Sequence, residues 1–170
     1  MDKEQKTIYN IKDVEKYKDQ LKKIRIWVCN TSCGKSYLCK VDDRFVDLDK
    51  HRSDLMFQGV QDFDEQSLVV MEKYLAMGKI ILNASHRHFL NYLDTNNIPF
   101  VYMYPKKGLQ AEYIERMRNR GSSEEFIQKY GTKMDDHYDH RHEDKRGTFK
   151  IEMNSGEFVS DYLWKVFGKK

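Results

Sequence analysis

The chain has 170 residues, with 30 Lys plus Arg against 27 Asp plus Glu and a formal net charge of +3. That length is one domain able to bury a real core, and charges so balanced carry no signature of a nucleic-acid protein, while a polyanionic ligand stays open. Three cysteines, a charged start at Met1-Asp2-Lys3-Glu4 and the lack of any apolar run long enough to span a bilayer predict a soluble, cytoplasmic protein without membrane partner, leader or disulfide framework.

Ile11, Val14, Tyr17 and Leu21, three and four apart, predict a short amphipathic helix over residues 9–23. Residues 24–28, Ile-Arg-Ile-Trp-Val, read as a buried strand that delivers the turn Cys29-Asn30-Thr31-Ser32-Cys33-Gly34-Lys35-Ser36, with a helix from there to Val41. Arg44 to Asp49 reads as a second strand with acidic side chains at its end, followed by a polar loop holding His51, Arg52 and Ser53. A helix from Asp64 to Met77 buries Leu68, Val69, Met71, Tyr74 and Leu75, and Gly78 stops it.

Residues 79–84 form a third strand, and Ser85 is placed to cap a helix from His86 to Asp94. A fourth strand over 98–104 is closed by Pro105, an arginine-rich helix spans 109–120, and a charged helix runs from 122 to about 140. Thr148 to Met153 is the last strand and Glu157 to Phe167 the last helix. Strands alternating with helices call for a single α/β domain, a mainly parallel five-stranded sheet covered on both faces. Ligands of such sheets sit beyond the carboxyl ends of the strands, where the turn 29–36, Asp49 and Ser85-His86 all fall.

The turn carries the chemistry. A phosphate-binding loop of the Gly-x-x-x-x-Gly-Lys-Ser/Thr type needs Gly34, Lys35 and Ser36 as they stand, and has Cys29 where its first glycine would be. Backbone N–H groups from Asn30 to Tyr37 would cradle phosphate, Lys35 would reach the outer phosphates, and Ser36 would ligate magnesium. Arg116 and Arg120, four apart on one helical face, can clamp a migrating phosphoryl group, and a Glu112–Arg116 pair on a solvated helix is the plainer account. Asp47 and Asp49 could hold magnesium or take the proton of an attacking hydroxyl; Asp49, further past the strand, is preferred. The spacing of Cys29, Cys33 and Cys39 suits buried thiols better than zinc, and the run from Asp135 to Asp144, with His137 and His140 on one face, suits a solvated segment better than a metal site.

Taken in order, the strand plus TSCGKS, VDLDKHRSDL, ILNASHRHFL, FVYMYPKKGLQAEYIERMRNRG and IEMNSGEFVSDYL resemble P-loop nucleoside and nucleotide kinases, especially small phage and bacterial deoxynucleoside monophosphate kinases. The resemblance covers nearly the whole chain from residue 24. It implies a three-layer αβα P-loop kinase fold, a small helical lid over about 106–145, ATP with Mg2+, and Arg116 and Arg120 as lid arginines. A phage origin would place the protein in the host cytoplasm. The expected activity is phosphoryl transfer to a nucleotide through Lys35, Asp49, Arg116 and Arg120, with His51, Arg52, Ser53 and His86 around the acceptor, and a homodimer is compatible with it. Two other readings are a kinase acting on a hydroxyl of modified DNA or a polynucleotide end, and a nucleotide-binding regulator without catalysis.

Overall fold

Successive side chains of a strand point to opposite faces, and in the central strand both sets are apolar: Trp27 and Cys29 enter one core layer, Ile26 and Val28 the other. A strand of that kind must be covered on both sides, which helical crossovers of a parallel sheet achieve. The structure is a computed structural model describing residues 4–170; the charged start Met1-Asp2-Lys3 lies outside them. Six strands, β1 (Lys6–Ile8), β2 (Ile26–Cys29), β3 (Phe45–Asp47), β4 (Ile80–Asn83), β5 (Val101–Pro105) and β6 (Phe149–Met153), form one sheet in the order β1-β6-β5-β2-β4-β3. Every pairing is parallel.

The expected sheet had five strands. The sixth is β1, whose register runs from Lys6 opposite Phe149 to Ile8 opposite Ile151. Three residues with one buried apolar side chain, Ile8, leave no periodic signal to read.

The helices are α1 (Val14–Leu21), α2 (Lys35–Val41), α3 (Leu48–Phe57), α4 (Phe63–Ala76), α5 (Arg87–Thr95), α6 (Gln110–Asn119), α7 (Glu124–Phe126), α8 (Tyr138–Glu143) and α9 (Val159–Phe167). Val14 and Leu21 of α1, Leu38 of α2 and Val159, Tyr162, Leu163 and Val166 of α9 close one face of the sheet. Leu48, Met71, Phe89, Leu90 and Leu93, from α3, α4 and α5, close the other. Tyr113, Met117, Ile127 and Met134 make a separate small core beneath α6 and α7.

Several expected boundaries move. Residues 9–23 are a 3-10 turn, Ile11–Asp13, capped by the Asn10 side chain, and then α1. The polar loop expected after the second strand is α3: the strand stops at Asp47, whose carboxylate accepts from the Lys50 N–H at 3.3 Å as an N-cap. Ser85 does not cap α5; His86 holds the cap position, without a side-chain bond to the helix. The single helix expected over 122–140 is broken into α7, one wide turn over Ile127–Gly131 and α8. At Gly131 a Cβ would stand 2.9 Å from the Ile114 side chain, so this turn packs tightly on α6.

β2 has β4 on one side and β5 on the other. The chain leaves β2 for the β3 side and later crosses from β4 to β5, so the crevice of the sheet opens beyond the carboxyl end of β2.

Candidate functional site

Cys29, fully buried in β2 opposite Met103, is an ordinary strand residue, and the Asn30 N–H carries the pairing one residue further by donating to the Met103 carbonyl at 3.2 Å. The left-handed positions of the turn are Ser32, at φ +58°, and Gly34, at φ +95°. The pattern's missing first glycine therefore costs no strain where Cys29 stands. Among the described residues no backbone carbonyl accepts from the N–H groups of Thr31, Ser32, Cys33 or Gly34.

Lys35, 7% exposed, turns its ammonium back to the carbonyls of Asn30 at 3.1 Å and Cys29 at 3.4 Å. Burial works against that charge, but Cys33, Cys29, Asp49 and Asp47 outweigh it and hold the Lys35 pKa above its ordinary value. The Cys33 thiol donates to the Asn30 carbonyl at 2.6 Å beneath the loop. Cys29, Cys33 and Cys39 are all free.

The two aspartates divide. The Ser36 hydroxyl donates to Asp47 Oδ2 at 2.9 Å, so Asp47 is the carboxylate beside the start of α2. Asp49, in the first turn of α3, has its Oδ1 2.6 Å from His86 Nε2. Burial pushes the Asp49 carboxyl up, yet the His86 hydrogen bond and the charges of Lys35, His86 and Arg52 prevail and its pKa is lowered. The sequence prefers Asp49 to Asp47 because it lies further past the strand; in the structure the strand ends at Asp47, two residues earlier than the acidic pattern suggests, and it is Asp47 that meets the Ser36 hydroxyl.

A cleft of about 500 Å³ opens over the loop, lined among others by Ser32, Gly34, Lys35, Ser36, Arg120 and Phe158. Tyr37 lines it too and is 60% exposed. Both expected arginines reach the cleft, but in different states. Arg116 is committed: it donates to Glu112 Oε1 at 3.0 Å, to the Glu157 carbonyl at 3.0 Å and to the Ser32 carbonyl at 3.4 Å. It ties α6 to the loop and to the turn before α9. Arg120 is the freer of the two, bonded to Ser122 Oγ at 2.8 Å and to Thr31 Oγ1 at 3.5 Å.

The expected acceptor residues are only partly convergent. His86 meets Asp49. Arg52 is paired with Asp64 at 2.7 Å and lies over the Phe63 ring, and His51 packs on Tyr74. Ser53 is half-buried on α3. Asn119 and Phe158 also line the cleft, and the sequence motifs do not point to them. Asn119 stands three residues from Arg116 on the same helical face, a spacing that could have found it; Phe158, before α9, leaves no comparable trace.

Three buried polar atoms have no partner among the described residues: Ser32 Oγ, Glu112 Oε2 and Tyr113 OH. All belong to the loop or to the adjoining face of α6, and buried polar groups are almost always satisfied. The oxygen pair Ser36–Asp47 fits a hard cation such as magnesium, which keeps several waters and takes few protein ligands. No cluster of three or more His, Cys, Asp or Glu side chains able to hold a metal by themselves occurs among the described residues, the run 135–144 included. There Asp135 accepts from the Gly108 N–H at 3.0 Å, and His142 stacks on Tyr138 with ring centres 5.4 Å apart. No described helix is long and apolar enough to cross a membrane.

No protein-family model matches the chain, and no curated protein matches its sequence.

Proposed function

We propose that this protein is a phosphotransferase that moves the terminal phosphoryl group of ATP, with magnesium, to a nucleotide acceptor. The observation that carries the reading is the loop 31–34, whose N–H groups lack backbone acceptors, beside the buried Lys35 ammonium at the mouth of a cleft of about 500 Å³. Inward-facing amides with a lysine form an anion site of the kind that cradles a polyphosphate. Ser36 and Asp47 would hold magnesium, which when bound neutralises charge on the phosphate oxygens. Arg120 is the cation free to meet the migrating group, and Arg116 fixes the loop that receives it.

The test is Lys35→Ala assayed with labelled ATP against nucleosides, nucleoside monophosphates and DNA. Transfer is expected to fall by at least about a hundredfold, the order seen when one electrostatic donor is removed, with the fold retained by circular dichroism. Undiminished turnover in the folded variant would overturn the proposal.

A further inference from the structure

The cleft over the loop, at about 500 Å³, has the size that encloses a whole small-molecule ligand, more than a phosphate group alone requires. Two aromatic rings stand in its wall, Tyr37 and Phe158. Phe158 is already engaged: the Arg116 guanidinium lies 4.0 Å from its ring centre, and its edge rests on Gly34. Arg116 is engaged in turn, flanked on the Tyr113 side by a ring centre at 4.5 Å. Tyr37 differs from both. It sits in the first turn of α2, two residues beyond Lys35, and is 60% exposed. No aromatic or cationic side chain among the described residues lies against its ring, and none bonds its hydroxyl.

Asn119, the last residue of α6, lines the same cleft, and its carboxamide is bonded to no described residue. Its neighbours hold this end of the helix on the loop. Arg116 donates to the Ser32 carbonyl at 3.4 Å, and Arg120 to Thr31 Oγ1 at 3.5 Å.

Resting on the phosphotransferase reading above, we propose that Tyr37 and Asn119 receive the base of the donor nucleotide, the Tyr37 ring stacking on it and the Asn119 carboxamide reading its edge, and that Asn119 selects adenine over guanine. Stacking by itself tolerates any base, since every base has a π face. Selection comes from the pattern of donors and acceptors. A carboxamide presents an NH2 donor beside a carbonyl acceptor, and adenine presents its N6 donor beside the N7 acceptor, so two hydrogen bonds form at once. Guanine presents two acceptors there, O6 and N7. The Asn119 carbonyl would then face O6 with no hydrogen between them.

The experiment separates the base from the phosphate tail. Full-length protein is titrated, with magnesium, with ATP, GTP and inorganic tripolyphosphate, which has neither base nor sugar. ATP is expected to bind about tenfold or more tighter than tripolyphosphate, the order that one stacked base supplies, and about tenfold tighter than GTP, the order of one two-bond contact to a base edge. Tyr37→Ala is expected to weaken ATP and GTP alike by about tenfold without weakening tripolyphosphate, and Tyr37→Phe to recover most of that loss. Asn119→Ala is expected to bring ATP down to the affinity of GTP. Both side chains are exposed, so neither substitution removes a core contact.

ATP affinity unmoved by Tyr37→Ala, or a fall shared equally by tripolyphosphate, overturns the stacking role. Equal binding of ATP and GTP by the unaltered protein, or a preference that survives Asn119→Ala, overturns the selection. In those cases tripolyphosphate binding that Lys35→Ala abolishes leaves the phosphate site standing. Failure to bind either ATP or tripolyphosphate overturns that site and the base contacts with it.

Discussion

The guanidinium of Arg116 lies 4.0 Å from the centre of the Phe158 ring, and Phe158 in turn rests on Gly34, where an added Cβ would come within 3.1 Å of its Cδ1. The loop 30–34 is thus held from above by the turn before α9, a contact reinforced by the Val159 N–H donating to the Cys33 carbonyl at 2.9 Å. Gly34→Ala meets both a left-handed backbone and this ring. The expected loss of stability is about 1–2 kcal/mol, read by chemical denaturation, with a weaker ATP affinity in the same variant.

The Ser36–Asp47 contact predicts a metal phenotype. Ser36→Ala or Asp47→Asn is expected to raise the magnesium concentration needed for half-maximal transfer about tenfold or more, while ATP binding measured without metal stays near that of the unaltered protein. An unchanged magnesium titration in both variants would remove this pair from the metal site.

Asp42 governs acid stability. Its buried carboxylate accepts from Arg44 at 2.7 and 3.0 Å and from Trp164 Nε1 at 3.1 Å, and Arg44 reaches on to the Phe167 carbonyl at 3.0 Å. The Arg44 hydrogen bonds pull the Asp42 pKa down to about 2. Because the folded value lies below the unfolded one of about 4, the stabilisation is complete above about pH 4 and is lost as pH falls toward 2. Asp42→Asn is expected to cost about 2 kcal/mol at neutral pH and to flatten this acid limb in melting experiments.

Lys150 should act in the opposite sense. It is 1% exposed on β6, its ammonium donating to the His142 carbonyl and lying 5.6 Å from the Tyr104 ring centre. Burial lowers its pKa from 10.5 to about 8. Between those values the unfolded chain binds more protons than the folded one, so stability rises as pH climbs through this window. Lys150→Met is expected to raise stability at neutral pH by about 1 kcal/mol and to abolish that alkaline gain.

The readable parts of the fold were those in which one short segment carries its own pattern. The apolar run ending in Val28, the alternation of strands and helices, Gly34 before Lys35, and the spacing of Arg116 and Arg120 each sit within a few residues. What stayed hidden depends on partners far away. β1 exists because β6 offers an edge far along the chain, Lys6 standing opposite Phe149 and Ile8 opposite Ile151. The roles of Asp47 and Asp49 turn on where β3 stops, and α3 has so diffuse an apolar face, with Leu48 its one fully buried residue, that its start could not be seen. Spacing alone makes Arg116 a candidate clamp, and only the folded chain places the Glu157 carbonyl where it engages that guanidinium.

The pairing of β1 with β6 also has a kinetic meaning. β1 finds its neighbour only after the residues between Ile8 and Phe149 have been made, and contacts of such long sequence separation are slow to form. During synthesis the Lys6–Ile8 segment must wait unpaired while β2 to β5 assemble. Closure of the sheet at that margin therefore follows the assembly of its centre.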